Sequence, residues 1–276
     1  GLASLECKDK NIMNQTDKVL FNIDDRGVAT VTLNQPEIHN AFDDKLILQL
    51  TDIFSRVNQN NDIRVMVLAA AGKSFSAGAD LNWMQRIAMY SYEQNLADAN
   101  ALAKMFFILN TIDKPTIAKV QGAAFGGAVG LVACCDMAIG SKLSKFCLSE
   151  VKLGLAPATI SPYVIDAIGA RVARRYFTTA EVFSARRARR LGLLSEAVVE
   201  EELDSTIENL IEHILKNSPA AIRAAKQLIF DVQNKPISDA LLATTSEKIA
   251  ELRVSDEGQE GLNAFLQKRR ANWIKE

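Results

Sequence analysis

A chain of 276 residues, 48% hydrophobic and 24% charged, is long enough and apolar enough for a sizeable core. Its formal net charge of −1 leaves no electrostatic footprint for nucleic acid, and no apolar run reaches the length of a membrane span. The two histidines (His39, His213) and four cysteines (Cys7, Cys134, Cys135, Cys147) form no CxxC pair and no Cys/His metal pattern, which argues against a histidine triad and a metal centre.

The polar N-terminus carries no signal-peptide core, so a reducing, cytoplasmic setting fits best. Residues 1–15 read as a flexible lead-in. Val19–Ile23 and Val28–Leu33 read as a hairpin turning at Asp24-Asp25-Arg26-Gly27. Asp43 is placed to cap a helix reaching about Asn58, with Leu46, Leu50, Ile53, Phe54 and Val57 on one face. Val65–Ala70 is a short apolar run of the buried-strand kind. Gly72–Ala79 reads as a loop of small residues. One helix starts near Leu81 and another spans Asn95 to Asn110. Pro115 then introduces the strand Thr116–Val120. A glycine turn, a helix Gly127–Cys135 and the strands Met137–Ile139 and Phe146–Ser149 follow.

Repeated strand–helix alternation makes this an α/β chain. From Pro162 the pattern turns nearly all helical, in segments near 162–168, 171–178, 204–216, 219–233, 237–252 and 256–270, punctuated by Gly169, Gly192, Pro219 and Pro236. A core over 16–200 and a helical tail over 201–276 follow. The tail's amphipathic faces need a partner, either the same core or a second subunit. Basic clusters at Arg171–Arg175 and Arg186–Arg190 have helical spacing and read as solvated faces.

Chemistry concentrates in two glycine loops. In Ile117-Ala-Lys-Val-Gln-Gly-Ala-Ala-Phe-Gly-Gly-Ala-Val-Gly130, a strand ends at Gly122, and Gly126 and Gly127 open an apolar helix. A helix start leaves amides unpaired, and small residues let a ligand oxygen reach them, which suits a phosphate or a developing oxyanion. Ser74-Phe-Ser-Ala-Gly-Ala-Asp80 offers amides in the same way between a strand and the helix from Leu81. Two such turns facing each other can grip one carbonyl oxygen, each donor being worth on the order of 10²–10³ in rate. Each loop alone is also explained by packing, and Asp80 by helix capping.

Ser-Ala-Gly-Ala-Asp-Leu, Ala-Phe-Gly-Gly-Ala, Cys-Asp136 and Ser-Glu150-Val-Lys-Leu-Gly-Leu-Ala-Pro157, in this order and spacing, resemble the crotonase family of enoyl-CoA hydratases and isomerases. The similarity runs from about Val19 to Ala-Phe265-Leu-Gln-Lys268-Arg. Within the family the chain looks most like bacterial 3-methylglutaconyl-CoA hydratases, which carry Leu-Asn-Trp-Met and Phe-Gly-Gly-Ala-x-Gly.

The resemblance implies a spiral of ββα units with a C-terminal helical trimerisation region, assembled as a homotrimer or homohexamer. It implies an acyl-CoA thioester as substrate and no cofactor beyond that coenzyme A. The thioester oxygen would sit between the amides of Ala79 and Gly127, beside Gly126. The CoA would lie along Ala77, Asp80, Leu81 and the segment His39–Ala41, with Phe265 and Lys268 reaching an adjacent subunit's CoA. Trp83, Met84, Ala156, Pro157, Ala158 and Ile160 would wall the acyl pocket, although Trp83 equally suits a core anchor.

The typical hydratase uses two glutamates. Glu150 matches the one that supplies the α-proton, whereas Gly130 stands where the other holds water. One glutamate is the arrangement of a Δ3,Δ2-enoyl-CoA isomerase, yet the hydratase subgroup also carries this glycine. Water held by backbone near Gly127 and Gly130, or by the substrate's own carboxylate, would serve hydration. Apolar neighbours Val151, Leu153 and Leu155 are expected to raise the Glu150 pKa, while Lys152, if it shared a strand face with Glu150, would oppose that. A third reading, acyl-CoA or RNA binding without turnover, has little support because Asp43–Asn58 is not lysine-rich.

Overall fold

A computed structural model describes residues 18–275; the 1–15 segment and Cys7 lie outside them. The hairpin forms as expected, β1 (Val19–Ile23) pairing antiparallel with β2 (Val28–Leu33). Asp24 Oδ1 closes its turn by accepting from the amides of Arg26 and Val28. Helix α1 (Asp44–Gln59) starts where Asp43 accepts from the Leu46 amide at 2.8 Å. It buries the five predicted apolar residues and Ile47.

The chain then repeats one unit. Each turn lays a strand in a large sheet and, after a short bend, a strand in a small sheet, and then enters a helix. The three pairs are β3 (Val65–Ala70) with β4 (Ser76–Ala77), β5 (Thr116–Val120) with β6 (Ala123–Phe125), and β7 (Met137–Ser141) with β8 (Lys145–Cys147). In the large sheet β3, β5 and β7 are parallel neighbours, in the order β1-β2-β3-β5-β7-β10, where β10 is Glu196–Val198. In the small sheet β4, β6 and β8 are likewise parallel, and β9 (Phe183–Ser184) closes it antiparallel. This is a spiral of strand-strand-helix units.

The helices between turns are α2 (Leu81–Met89), α3 (Tyr92–Asn110) and α4 (Gly127–Cys134), followed by α5 (Ser161–Ile168), α6 (Ala170–Thr179) and α7 (Ala185–Leu191). Helix α4 is buried almost all round, Cys134 included, which explains its unbroken apolar sequence, and Cys135 just beyond its end is buried too. Helix α8 (Leu203–Leu215) covers the other face of the large sheet with Leu203, Ile207 and Ile211 against Val28, Val65, Val67, Ile117 and Ile139.

Beyond it, α9 (Pro219–Val232) and α10 (Asp239–Val254) bury no residue, and α11 (Asp256–Leu266) buries Ala264. Ile229, Ile237, Leu242, Ile249, Val254, Leu262 and Leu266 stay exposed on them or beside them. Among the described residues no helix is long and apolar enough to cross a membrane.

Four expectations change. The 72–79 loop contains β4. Helix α3 starts three residues earlier than Asn95, because Ser91 and Gln94 form a reciprocal capping box. The strand expected at Phe146–Ser149 ends at Cys147, and a 3-10 turn, Glu150–Leu153, follows. The stretch after Pro162 is not all helical, since β9 and β10 complete the two sheets with strands too short to show alternation.

Candidate active site

The site is built where the small sheet meets two helix starts. On one side lies the segment from His39 to Phe42 with the loop from Ser74 to Asp80. His39 and Asn40 both take the left-handed conformation, φ 53° each, which swings the chain across the loop. The buried Asn40 side chain donates to the carbonyls of Ala71 (3.0 Å) and Ser74 (3.1 Å) and accepts from the Gln35 amide at 2.7 Å. Ser76 Oγ donates to the Asn40 carbonyl at 2.8 Å, and His39 Nδ1 lies 3.0 Å from Ser74 Oγ.

Phe42 forms a parallel bridge to Ala79: its amide donates to the Gly78 carbonyl, and its carbonyl accepts from the Asp80 amide. In such a bridge the residue between the two bonded neighbours directs its own N–H to the opposite side. The Ala79 amide is thereby left open, with no acceptor among the described residues.

The other side is the turn into α4. Gly122 packs so closely on the first loop that a Cβ there would stand 1.8 Å from the Lys73 carbonyl oxygen. The Gln121 side chain donates to the carbonyls of Ala70 and Gly72, which ties the two loops together. Gly126 has φ 62° and ψ −124°, a conformation that belongs to glycine. Its amide is taken by the Cys147 carbonyl at 2.8 Å. Helix α4 then starts with no side-chain cap, and the first-turn amide of Gly127 has no acceptor among the described residues. A Cβ on Gly127 would come within 3.1 Å of the Phe42 ring. Phe42, 4% exposed, thus touches both loops, one through its backbone and one through its ring.

Glu150 heads the 3-10 turn beyond β8 and reaches back over Gly126, where a Cβ would lie 3.4 Å from its Oε1. Its Oε2 is buried without a hydrogen-bond partner among the described residues. Desolvation raises the Glu150 pKa above the ordinary glutamate range, opposed only by its own backbone amide. Lys152 sits in the same turn but is not among the groups acting on Glu150; its charge acts on Cys147 instead. A half-buried carboxyl with a raised pKa and a free oxygen, beside an open helix-start amide, is equipped to carry a proton to or from a carbon whose carbonyl rests on that amide.

Gly130 lies one turn further along α4 and is fully packed. A Cβ there would stand 2.2 Å from Ile160 Cγ2, 2.9 Å from Ile160 Cβ and 3.0 Å from Phe106 Cε1. No side chain fits at Gly130 while Ile160 keeps its place.

The other candidates are distributed as follows. Ala41 is buried and Ala77 half-buried in β4, and Asp80 caps α2 by accepting from the Trp83 amide at 3.1 Å. Leu81 is 74% exposed at the start of that helix. Trp83 is 7% exposed and packs in the main core, its Nε1 donating to Asp98 Oδ1 at 3.2 Å. Burial raises the Asp98 carboxyl, and the Trp83 hydrogen bond opposes that rise. Pro157 is buried between Glu150 and Ile160. Phe265 is 83% exposed at the end of α11, and Lys268 follows it in a left-handed conformation.

The structure therefore joins Ala79, Gly126, Gly127 and Glu150 through Phe42 and the small sheet, and places Phe265 and Lys268 at and just beyond the end of α11. Sequence reasoning singled out neither Phe42 nor Asp98, and it named Asn40 as part of the His39–Ala41 segment.

Comparison with known proteins identifies the family. A family model described as enoyl-CoA hydratase/isomerase matches residues 24–276. The crotonyl-CoA hydratase of Syntrophomonas wolfei is 30% identical over 250 residues, covering 90% of this chain and 94% of that protein. The short-chain-enoyl-CoA hydratase of Clostridium acetobutylicum is 30% identical over 254 residues, covering 90% and 94%. Among solved structures, an enoyl-CoA hydratase from Shewanella pealeana is 44% identical with a TM-score of 0.92, covering 97% of this chain and 99% of its own. With its spiral of paired strands and its two open amides, the chain belongs to the enoyl-CoA hydratase/isomerase family.

Proposed function

We propose that the protein is an enoyl-CoA hydratase acting on a branched, 3-methylglutaconyl-like α,β-unsaturated acyl-CoA. The observation that carries this reading is the Glu150 carboxyl, its Oε2 unpartnered and its pKa raised, next to the open Gly127 amide. The thioester oxygen accepts from Ala79 and Gly127. As a water oxygen bonds to the β-carbon, the π electrons move toward the thioester as an enolate held by those amides. Glu150 gives its proton to the α-carbon, the carbonyl re-forms, and the proton released by water returns to Glu150. The adenine and pantetheine run along His39–Ala41, Ala77, Asp80 and Leu81. The coenzyme A of the substrate supplies the only cofactor chemistry.

Copies assemble as a homotrimer or homohexamer through the helical tail, which supports a reading of Phe265 and Lys268 as contacts to a neighbour's CoA. The exposed apolar residues of that tail favour such an assembly. The cytoplasm is the compartment proposed.

The sealed position at Gly130 favours a second reading, a Δ3,Δ2-enoyl-CoA isomerase in which Glu150 alone moves a proton between carbons. Product analysis in heavy-oxygen water with 3-methylglutaconyl-CoA and crotonyl-CoA separates the two. Hydration places label in the product, at a higher kcat/KM for the branched substrate. Turnover of a 3-enoyl-CoA, with no label from either 2-enoyl substrate, replaces the hydratase by the isomerase.

A further inference from the structure

Gly127 and Gly130 lie three residues apart on α4, about 4.5 Å along the axis and close to one face. A helical Cβ tilts toward the N-terminus. A side chain at 130 would therefore point back toward the Gly127 amide and toward a ligand bound there. Ile160 blocks it. That residue immediately precedes α5, is 3% exposed, and has its carbonyl bonded by the amides of Tyr163 and Val164. Its branched Cβ restricts χ1, and that Cβ itself would lie 2.9 Å from the added atom, so rotating the side chain does not clear the place. Phe106 is fully buried and braced by Tyr163, with ring centroids 6.5 Å apart.

We propose that Ile160, backed by Phe106, is a specificity-determining residue: it fills the one place on α4 from which a second carboxylate could serve the bound thioester, and so confines the site to chemistry done with Glu150 alone. This rests on the reading of Ala79, Gly127 and Glu150 as the reacting site. Replacing Ile160 by glycine removes both of its blocking atoms and leaves only the Phe106 ring edge, 3.0 Å away. A carboxylate introduced at position 130 then takes one proton from water as the oxygen bonds to the β-carbon, while Glu150 gives its own proton to the α-carbon. The net result is H and OH added across the double bond.

The test compares Gly130→Glu, Ile160→Gly and the double variant in the full-length protein, by Tm and by hydration of unbranched crotonyl-CoA. Gly130→Glu alone lowers Tm and gains no hydration. The double variant has a higher Tm than Gly130→Glu and hydrates crotonyl-CoA at least tenfold faster than Ile160→Gly, since a well-placed general base contributes roughly 10²–10⁴. Two results overturn the assignment: a folded double variant with no gain, or a gain as large in Gly130→Glu alone. Exchange of the α-hydrogens of butyryl-CoA in deuterium oxide is measured alongside. If the double variant exchanges but shows no gain, the role of Ile160 fails and the site stands. If the unmodified protein does not exchange at all, the reading of Glu150 fails.

Discussion

The two loops that offer amides do the same job and are held in opposite ways. The Ala79 side is held by hydrogen bonds: Asn40 reaches the carbonyls of Ala71 and Ser74, Ser76 returns a bond to Asn40, and Phe42 pairs its backbone with Gly78 and Asp80. The Gly127 side is held by side chains that are absent. Gly122 admits the Lys73 carbonyl, Gly126 adopts a backbone conformation closed to other residues, and Gly130 admits Ile160. Polar bonds hold one donor in register and close backbone contact holds the other. The two sides should therefore fail differently, the first in stability and the second in turnover.

The largest effect belongs to Glu150, the carboxyl beside the Gly127 turn. Glu150→Gln keeps the shape and removes the titrating group, so kcat/KM is expected to fall by about 10²–10⁴ with the fold intact. Full retention of activity would remove Glu150 from the mechanism and leave the two loops without a chemical difference. Next comes Gly126→Ala. Its φ of 62° strains any side chain by roughly 1–3 kcal/mol, and the added methyl meets Glu150 Oε1 at 3.4 Å. Turnover should drop about 10²-fold, with a smaller loss of stability. An unchanged kcat/KM would show that this turn tolerates displacement.

On the opposite side Asn40→Ala strands the buried Ser74 carbonyl, the half-buried Ala71 carbonyl and the Gln35 amide. Urea unfolding should show a loss of about 2–4 kcal/mol. The surviving folded fraction should keep most of its kcat. A loss of kcat larger than the loss of stability would erase the contrast between the loops.

The hairpin, the capped α1, the buried β3 and β5 and the apolar α4 were legible because each carries its own local signal: a turn, a cap or an uninterrupted apolar run. Length hid the small sheet. Its strands Ser76–Ala77 and Phe183–Ser184 have two residues each, and they exist only because neighbouring turns of the spiral supply their partners. Within the site, Gly126, Gly127 and Glu150 were readable from motif and chemistry. Phe42 was not, because its role comes from a backbone bridge to a residue 37 positions away and from a ring laid on Gly127. Nor does the sequence say why position 130 is glycine, since the reason is a clash with Ile160 thirty residues later.

The smallest expected effect is the pH dependence of stability, and it tests whether the Gly127 side holds a desolvated carboxyl. Folding raises the Glu150 pKa by burial, so the folded state keeps its proton at pH values where the unfolded chain has lost it. Below the ordinary glutamate pKa of about 4.3 both states are protonated and the group costs nothing. As pH rises from there through the raised folded value, ionisation favours the unfolded chain and stability declines. Glutamine at 150 has no such decline. Urea midpoints of the two proteins should therefore agree near pH 4 after correction for the substitution itself, and Glu150→Gln should be the more stable by pH 8. A difference that does not change with pH would place the Glu150 carboxyl in water, without the burial that raises its pKa.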